Sequence, residues 1–231
     1  MTPQHIAILT GAGISAESGI QTFRDAGGLW ENHPVEQVAT PEGFAADPKL
    51  VHRFYNLRRA ALSTVEPNAA HIALGRLQAE FSGGVTLVTQ NVDDLHERGG
   101  AADVIHMHGE LISAFCLACD HHWRQLENLS VETPCPACQT IGGPRPDIVW
   151  FGEMPYHMDR IEQALQNCDL FVSIGTSGAV YPAAGFVQLA HMYGAQTLEL
   201  NLEPSQGSAF FGETRYGLAT QLVPQWVDSL V

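Results

Sequence analysis

No apolar run in this 231-residue chain approaches the ~18 residues that a membrane-spanning helix needs. The opening stretch, "MTPQHIAILTG", has neither a basic n-region nor a small-residue cleavage site, so no secretory signal is read there and a cytoplasmic location is the expectation. Basic residues are scarce, 11 against 25 acidic, for a formal charge of -14. A surface of that sign repels phosphate backbones, which argues against nucleic acid as a direct partner. There is no internal repeat and no low-complexity segment. Cysteines number only five, and four of them fall in two C-x-x-C pairs. In a reducing compartment that spacing belongs to metal or redox chemistry rather than to disulfides. One more absence concerns glycine. The apolar run Ile6–Leu9 ends in Gly11-Ala12-Gly13, as a strand feeding a phosphate loop does, but Ala16 stands where the dinucleotide fingerprint G-x-G-x-x-G wants its third glycine. No convincing acidic residue follows about twenty positions on, so this is not the ordinary dehydrogenase turn.

What is present suits a globular α/β protein: 45% hydrophobic and 16% charged residues, enough for a sizeable core. Five β-branched-rich segments read as strands: His5–Leu9, Val85–Thr89, Asp103–Met107, Leu170–Ile174 and Thr197–Leu200. Helical patterns lie over Ala69–Phe81, with Ile72, Leu77 and Phe81 expected inward, over His157–Cys168, and over Pro182–Gly194. Alternation of this kind predicts a Rossmann-like parallel sheet with helices on both faces. Two stretches break the rhythm, one after a polar loop and one rich in cysteine and proline. The expected division is a Rossmann-like domain over 1–40, 65–112 and 148–231, with a small helical and zinc-binding module over 41–64 and 113–147.

Each strand ends in glycine or in small polar and titratable residues: Gly11–Ser15, Gln90–Asp93, His108–Glu110, Gly175–Gly178 and Asn201–Glu203. Ligands of open α/β sheets bind outside the carboxyl ends of the strands, so five such loops predict one shared site. Cys116-x-x-Cys119 and Cys135-x-x-Cys138, fifteen residues apart, have zinc-ribbon spacing. Four thiolates leave no position for water, so the metal is expected to be structural; a redox C-x-x-C pair is the alternative. Cys168, alone before an apolar strand, reads as core.

"GAGISAESGIQTFR", "TQNVDDLHERGG", "HMHGEL", the two C-x-x-C pairs, "IVWFGE", "IGTSGAVYPAAG" and "LNLEP" occur in the order seen in sirtuins. Over nearly its whole length the chain resembles a bacterial sirtuin of class III. The resemblance implies an NAD-dependent protein-lysine deacylase that removes succinyl, malonyl and acetyl groups and yields nicotinamide, free lysine and 2′-O-acyl-ADP-ribose. Mono-ADP-ribosylation of protein is the alternative on the same scaffold. NAD would be consumed as co-substrate and one Zn²⁺ held by the four cysteines. The implied NAD contacts are Gly11, Ala12, Gly13 and Ser15; Thr22, Phe23, Arg24 and Trp30 on a closing segment; Gln90, Asn91 and Asp93; Gly175, Thr176 and Ser177; Asn201, Leu202 and Glu203; and the backbone at Ala219.

His108 matches the family's base, and an imidazole is available as base at neutral pH. Asn91 and Asp93 would position carboxamide, water and ribose, although Asp93 also reads as a cap for the following helix. His106 reads as structural. The strand expected over "DIVWFGE", with Val149, Phe151 and Gly152, and the segment Ser177–Tyr181, with Val180, would clamp the substrate peptide as an added strand. Tyr55 and Arg58, three apart and so on one helix face, resemble the pair that takes an acyl carboxylate: a guanidinium fork plus a phenol donor. A surface arginine beside a half-buried tyrosine is the plainer reading of the same pair. Acyl-lysine proteins are the expected partners of a monomer.

Overall fold

The computed structural model describes residues 3–20, Leu29 and Trp30 as backbone, and 33–231. The expected contacts Thr22, Phe23 and Arg24 lie outside the described residues, and of Trp30 only the backbone is described.

Strand β1 (His5–Thr10) leads into two 3₁₀ turns. A two-residue ladder follows, β2 (Leu29–Trp30) with β3 (His33–Pro34). Helices α1 (Val35–Val38), α2 (Pro41–Ala46) and α3 (Pro48–Leu62) come next. Thr40 and Asp47 cap α2 and α3 with side-chain oxygens, each followed by proline at the first helical position. Helix α4 (Ala69–Glu80) returns the chain to β4 (Gly84–Thr89), and the short α5 (Leu95–Arg98) to β5 (Val104–His106). A three-stranded antiparallel sheet then forms from β6 (Gly109–Cys116), β7 (His122–Arg124) and β8 (Pro144–Ile148). The rest alternates: α6 (Met158–Asn167), β9 (Leu170–Ile174), α7 (Phe186–Met192), β10 (Gln196–Asn201), β11 (Glu213–Tyr216) and α8 (Ala219–Val227). Among the described residues no helix is long and apolar enough to cross a membrane.

The large sheet runs β11-β10-β9-β1-β4-β5, parallel throughout. Renumbered along the chain this is the order 3-2-1-4-5-6 read from the β5 edge, the doubly wound dinucleotide-fold order. Successive residues of β1 serve opposite cores, as a strand covered on both faces must. Ile6 and Ile8 pack with Leu74, Leu77 and Trp226. Ala7 and Leu9 pack with Leu165, Phe171 and Phe186. A third core joins Phe44, Phe54, Tyr55 and Leu62 to Leu111, Ile148 and Trp150, tying α2 and α3 to the smaller sheet.

Three expectations change. Ile72 is exposed, because α4 turns Ala70, Ala73, Leu74 and Leu77 inward, positions three and four apart, and Ile72 lies off that stripe. The strand expected over "DIVWFGE" ends at Ile148. Beyond it the chain turns, held by Arg145, whose Nη1 and Nη2 donate to the two Glu153 carboxylate oxygens at 2.7 and 2.8 Å. The sixth strand β11 and helix α8 escaped the pattern. Strand β11 is a fully exposed polar edge, and Pro224 inside α8 reads as a helix breaker.

The strand order reverses between β1 and β9. There the loops cross with backbone against backbone: the Gly11 N–H donates to Ile174 O at 3.0 Å and that of Gly13 to Gly175 O at 2.9 Å. A Cβ on Gly13 would lie 2.7 Å from Gly175 Cα, and Gly175 itself has φ +63. Gly13→Ala is therefore expected to cost about 1–3 kcal/mol of stability, as an overpacked site does. Urea denaturation checks this, and a variant of wild-type midpoint would disprove the crossing's tightness.

Candidate active site at the strand ends

Ser15 sits where the first loop meets the others, fully buried. Its hydroxyl donates to Asp93 Oδ2 at 3.1 Å. It accepts from Asn91 Nδ2 at 3.1 Å and faces His71 Nε2 at 3.3 Å. The tautomer of His71 follows from its other side, where Nδ1 accepts the Asn68 N–H at 3.2 Å, so Nε2 carries the proton. One donor and two acceptor positions of the hydroxyl are thus all used. Burial lowers the His71 pKa to about 4, which keeps the ring neutral in this role.

Asp93 takes the N–H of Leu95, the first residue of α5, on its Oδ1 at 3.2 Å and joins the Ser15 cluster at once, while the cap position itself is Asp94. Burial raises its pKa, against those hydrogen bonds and the pull of His106. His106 is structural, as read: its Nε2 meets Glu97 at 2.8 Å and its Nδ1 meets Asn91 O at 3.3 Å. Burial pushes its pKa down, but the Glu97 bond and charge, with Glu110, outweigh this and hold it above the ordinary value. His71 is the member of this cluster that sequence reasoning missed. The signal was Asn68, which with His71 forms a reciprocal cap at the start of α4.

His108 follows β5. Its Nδ1 lies 3.1 Å from the Gln90 carbonyl, which can only accept, so Nδ1 bears the proton and the Nε2 lone pair remains for chemistry. Burial lowers its pKa, opposed by the Gln90 carbonyl. The backbone of His108 is pinned too, since its carbonyl accepts the Val149 N–H at 2.9 Å. Phe151 donates its N–H to Ala39 O at 3.0 Å, and Gly152 has φ +92. Val149, Phe151 and Gly152 thus lie on a turn whose backbone is engaged with its own chain, and Phe151 and Val180 are exposed.

On the other half of the sheet, Asn201 Nδ2 donates to Thr176 O at 2.8 Å and its Oδ1 accepts the Leu202 N–H at 3.0 Å. Thr176 is buried against Ser173, while Leu202 projects outward. Ser177 accepts the Gln206 N–H on its carbonyl, and Ala219 opens α8, whose next N–H, that of Thr220, donates to Glu17 at 3.1 Å. The Gly11, Asn91, His108, Thr176 and Asn201 loops therefore gather on one rim, as expected from their place after the strands.

Tyr55 is fully buried; its hydroxyl accepts from Trp150 Nε1 at 2.9 Å. Burial pushes its pKa up to about 12, against the nearby Arg58 charge. The Arg58 guanidinium lies 6.0 Å from the Tyr55 ring centroid and 5.7 Å from that of Phe54. Arg59 turns away, donating to Leu111 O at 2.6 Å and to Asn56 Oδ1 at 2.8 Å.

In the smaller module, the four cysteine sulfurs lie within 4.8 Å of one another. Cys116 and Cys138 are 3.8 Å apart, Cys119 and Cys135 3.7 Å. A tetrahedron with Zn–S of about 2.3 Å has edges of about 3.8 Å, so the cluster is shaped for one zinc. His122 is directed to Asp147 at 2.9 Å instead, and Cys168 is buried in the core with its thiol pKa pushed up to about 11 by burial.

Residues 11–182 match the Sir2 family. The chain belongs to the Sir2 family. It is 58% identical over 230 residues to an NAD-dependent protein deacylase of Vibrio parahaemolyticus, spanning 99% of this chain and 95% of that one. It is 56% identical to a protein of the same description from Pasteurella multocida, over 98% of both. Among solved structures, a Sir2 homologue in complex with NAD superposes with a TM-score of 0.90 at 34% identity, over 99% of this chain and 90% of that one. A Sir2 homologue mutant holding 2′-O-acetyl ADP ribose gives 0.89 at 33%, over 99% and 92%.

The zinc geometry makes a prediction. Chelation, or Cys135→Ser, is expected to release the metal and lower Tm together, because the ribbon has little apolar core of its own. Zinc content by plasma emission and a thermal melt check it; metal loss with an unchanged Tm would disprove the structural role.

Proposed function

We propose that this chain removes acyl groups from protein lysines at the expense of NAD, releasing nicotinamide, free lysine and 2′-O-acyl-ADP-ribose. The observation that carries the reading is His108: its Nδ1–H is spent on the Gln90 carbonyl, leaving a neutral Nε2 on the same rim as the Ser15–Asn91–Asp93 cluster. The names of the relatives, NAD-dependent protein deacylase, support the same chemistry, and so does the neighbour complexed with 2′-O-acetyl ADP ribose.

NAD, when bound, supplies an electrophilic ribose carbon with nicotinamide as leaving group. The residues suited to hold it are Gly11, Ala12, Gly13 and Ser15 at the switch point, with Gly175–Ser177, Asn201–Glu203 and Ala219 beyond. The glycine loop lets a diphosphate approach backbone N–H groups closely. Thr22, Phe23, Arg24 and Trp30 complete the proposed contacts. Gln90, Asn91 and Asp93 orient the ribose and carboxamide end, and Asn91 and Asp93 are already locked to Ser15. His108 Nε2 takes a proton from a ribose hydroxyl. Val149, Phe151, Gly152 and Val180 line the path of the acyl-lysine peptide, whose backbone binds with little regard to sequence.

The acyl preference rests on Arg58 and Tyr55. Arg58 places a cation against the aromatic wall of Phe54 and Tyr55, where an apolar acetyl pocket has no use for one. A succinyl or malonyl group ends in a carboxylate that a guanidinium grips in two places. Acetyl-lysine is the smaller substrate of the same pocket.

Arg58→Met is expected to lower kcat/KM on succinyl-lysine peptide roughly ten- to hundredfold, the worth of a charge-assisted contact, and to spare acetyl-lysine. Mass spectrometry of matched peptides with and without NAD checks it, and equal losses on both would remove Arg58 from acyl recognition. His108→Tyr is expected to cut turnover at least ~100-fold while zinc content and Tm stay unchanged. Because the His108 pKa lies below 6.5, the acid limb of kcat/KM should fall below that pH; a limb above it would point to another base.

A further inference from the structure

Glu199 is a buried carboxylate that the proposed chemistry leaves idle. It lies within the large sheet, on β10, opposite Ser173 of β9 and Thr214 of β11, and is 1% exposed. Leu198 and Leu200 on either side of it enter the core shared with α4 and α8, so Glu199 points to the other face. Three groups converge on it. Its Oε1 accepts the Ser205 N–H at 3.3 Å, and its Oε2 accepts the Ser208 hydroxyl at 2.5 Å and the Tyr216 hydroxyl at 3.3 Å. All three are neutral donors, and no cation pairs with Glu199 among the described residues. A buried carboxylate without a cation is a costly way to fill space, and an apolar side chain would fill it at less cost. What the carboxylate supplies is direction: it only accepts, and so draws donors to one point.

The loop gathered by Glu199 abuts the strand-end loops. The Gln206 N–H donates to Ser177 O at 3.0 Å. Gly178, with φ +66, packs against the same loop: a Cβ there would lie 2.8 Å from Gly207 N and 3.1 Å from Ser205 Oγ. Ser205 Oγ also accepts the Gly207 N–H at 3.2 Å, which closes the turn on itself. On the other side Tyr216 ends β11, and the next N–H, that of Gly217, donates to Asn201 O at 2.9 Å. Glu199 thus stands behind both the Ser177–Gly178 turn and the Asn201 end of β10, with no hydrogen bond to either among the described residues.

We propose, resting on the reading of Ser177 and Asn201–Glu203 as NAD contacts, that Glu199 is a positioning residue for the adenosine half of NAD. Through Ser205, Ser208 and Tyr216 it holds the loops after β9 and β10 at the spacing which that half requires. With the carboxylate in place, segment 205–208 keeps one arrangement. Without it the segment samples others, and the cofactor binds only the competent fraction, so the apparent Kd rises by the inverse of that fraction. Gln90, Asn91 and Asp93, at the proposed nicotinamide end, lie after β4 and outside this chain of hydrogen bonds.

Glu199→Gln keeps the shape and removes the charge. In the zinc-replete full chain, well below Tm, its Kd for ADP-ribose by calorimetry is expected to rise about tenfold, the weight of a charge-assisted contact. KM for NAD should rise with it, while kcat and KM for the acyl peptide hold. Amide exchange separates positioning from lost stability. The Gln206 N–H, bonded to Ser177, should quicken by more than the N–H groups of β1, which follow global stability. Ile161→Val, in the core under α6, is the control: it lowers Tm and is expected to leave Kd unchanged. If Glu199→Gln does not fold, Ser208→Ala takes its place, removing one of the three donors, with Kd expected to rise about threefold, the weight of a neutral hydrogen bond. An unchanged Kd, a rise that Ile161→Val reproduces, or Gln206 exchange that only tracks β1 would each overturn the proposal. A wild-type chain that binds no ADP-ribose overturns the NAD reading and this inference with it; wild-type binding beside an indifferent variant overturns this inference alone.

Discussion

Backbone touches backbone where the loop after β1 crosses the loop after β9, and side chains on Gly13 or Gly175 would push the two apart. That crossing sets how far Ser15 advances beyond the sheet, because the Gly11 and Gly13 N–H groups are tied to Ile174 and Gly175. Ser15 in turn fixes Asn91 and Asp93. A loop carrying a Cβ at the crossing would displace the serine, and the polar cluster would lose the hydroxyl whose every bonding position is used. The strand order explains why the crossing lies here: only at the switch point do two neighbouring loops leave in opposite directions and open a crevice.

Two imidazoles beside that crossing are neutral. His71 and His108 are both lowered by burial, and each is oriented by a backbone atom, the Asn68 N–H for one and the Gln90 carbonyl for the other. A neutral imidazole with one nitrogen committed has a defined tautomer, so its other nitrogen has a single role. His106 is the exception that keeps the pattern intelligible. It carries Glu97 as a partner, its pKa is raised, and it stands behind Asn91 rather than on the rim.

Helix α3 links the two parts of the molecule. One side sends Tyr55 into the third core beneath Trp150, and the other meets the zinc-bearing module through Asn56, bonded to Leu129, and Arg59, bonded to the Glu127 carbonyl. The turn after β8 is braced independently. Arg145 lies 3.4 Å from the Trp150 ring centroid, and Glu153 accepts from both Arg145 and the Trp150 N–H. The Val149 N–H, bonded to the His108 carbonyl, ties that turn to the loop after β5.

Much of this was legible in the chain itself. The parallel sheet, five of its six strands, the four-cysteine cluster and the loops that end the strands all follow from local signals: β-branched runs, fixed spacing, and polar residues placed after strands. These are short-range properties, and a short stretch of sequence carries them whole. What only the tertiary structure decided depends on which distant segments meet. Ile72 pointed outward because α4 offers its alanine and leucine stripe to the sheet. The "DIVWFGE" strand stopped early because Arg145 found Glu153 and bent the chain. Strand β11 was invisible because its pairing with β10 is made by backbone groups, to which its exposed side chains give no clue. His71 joined the rim at the strand ends through Ser15, fifty-six positions away, a meeting set by the fold and written in no local pattern.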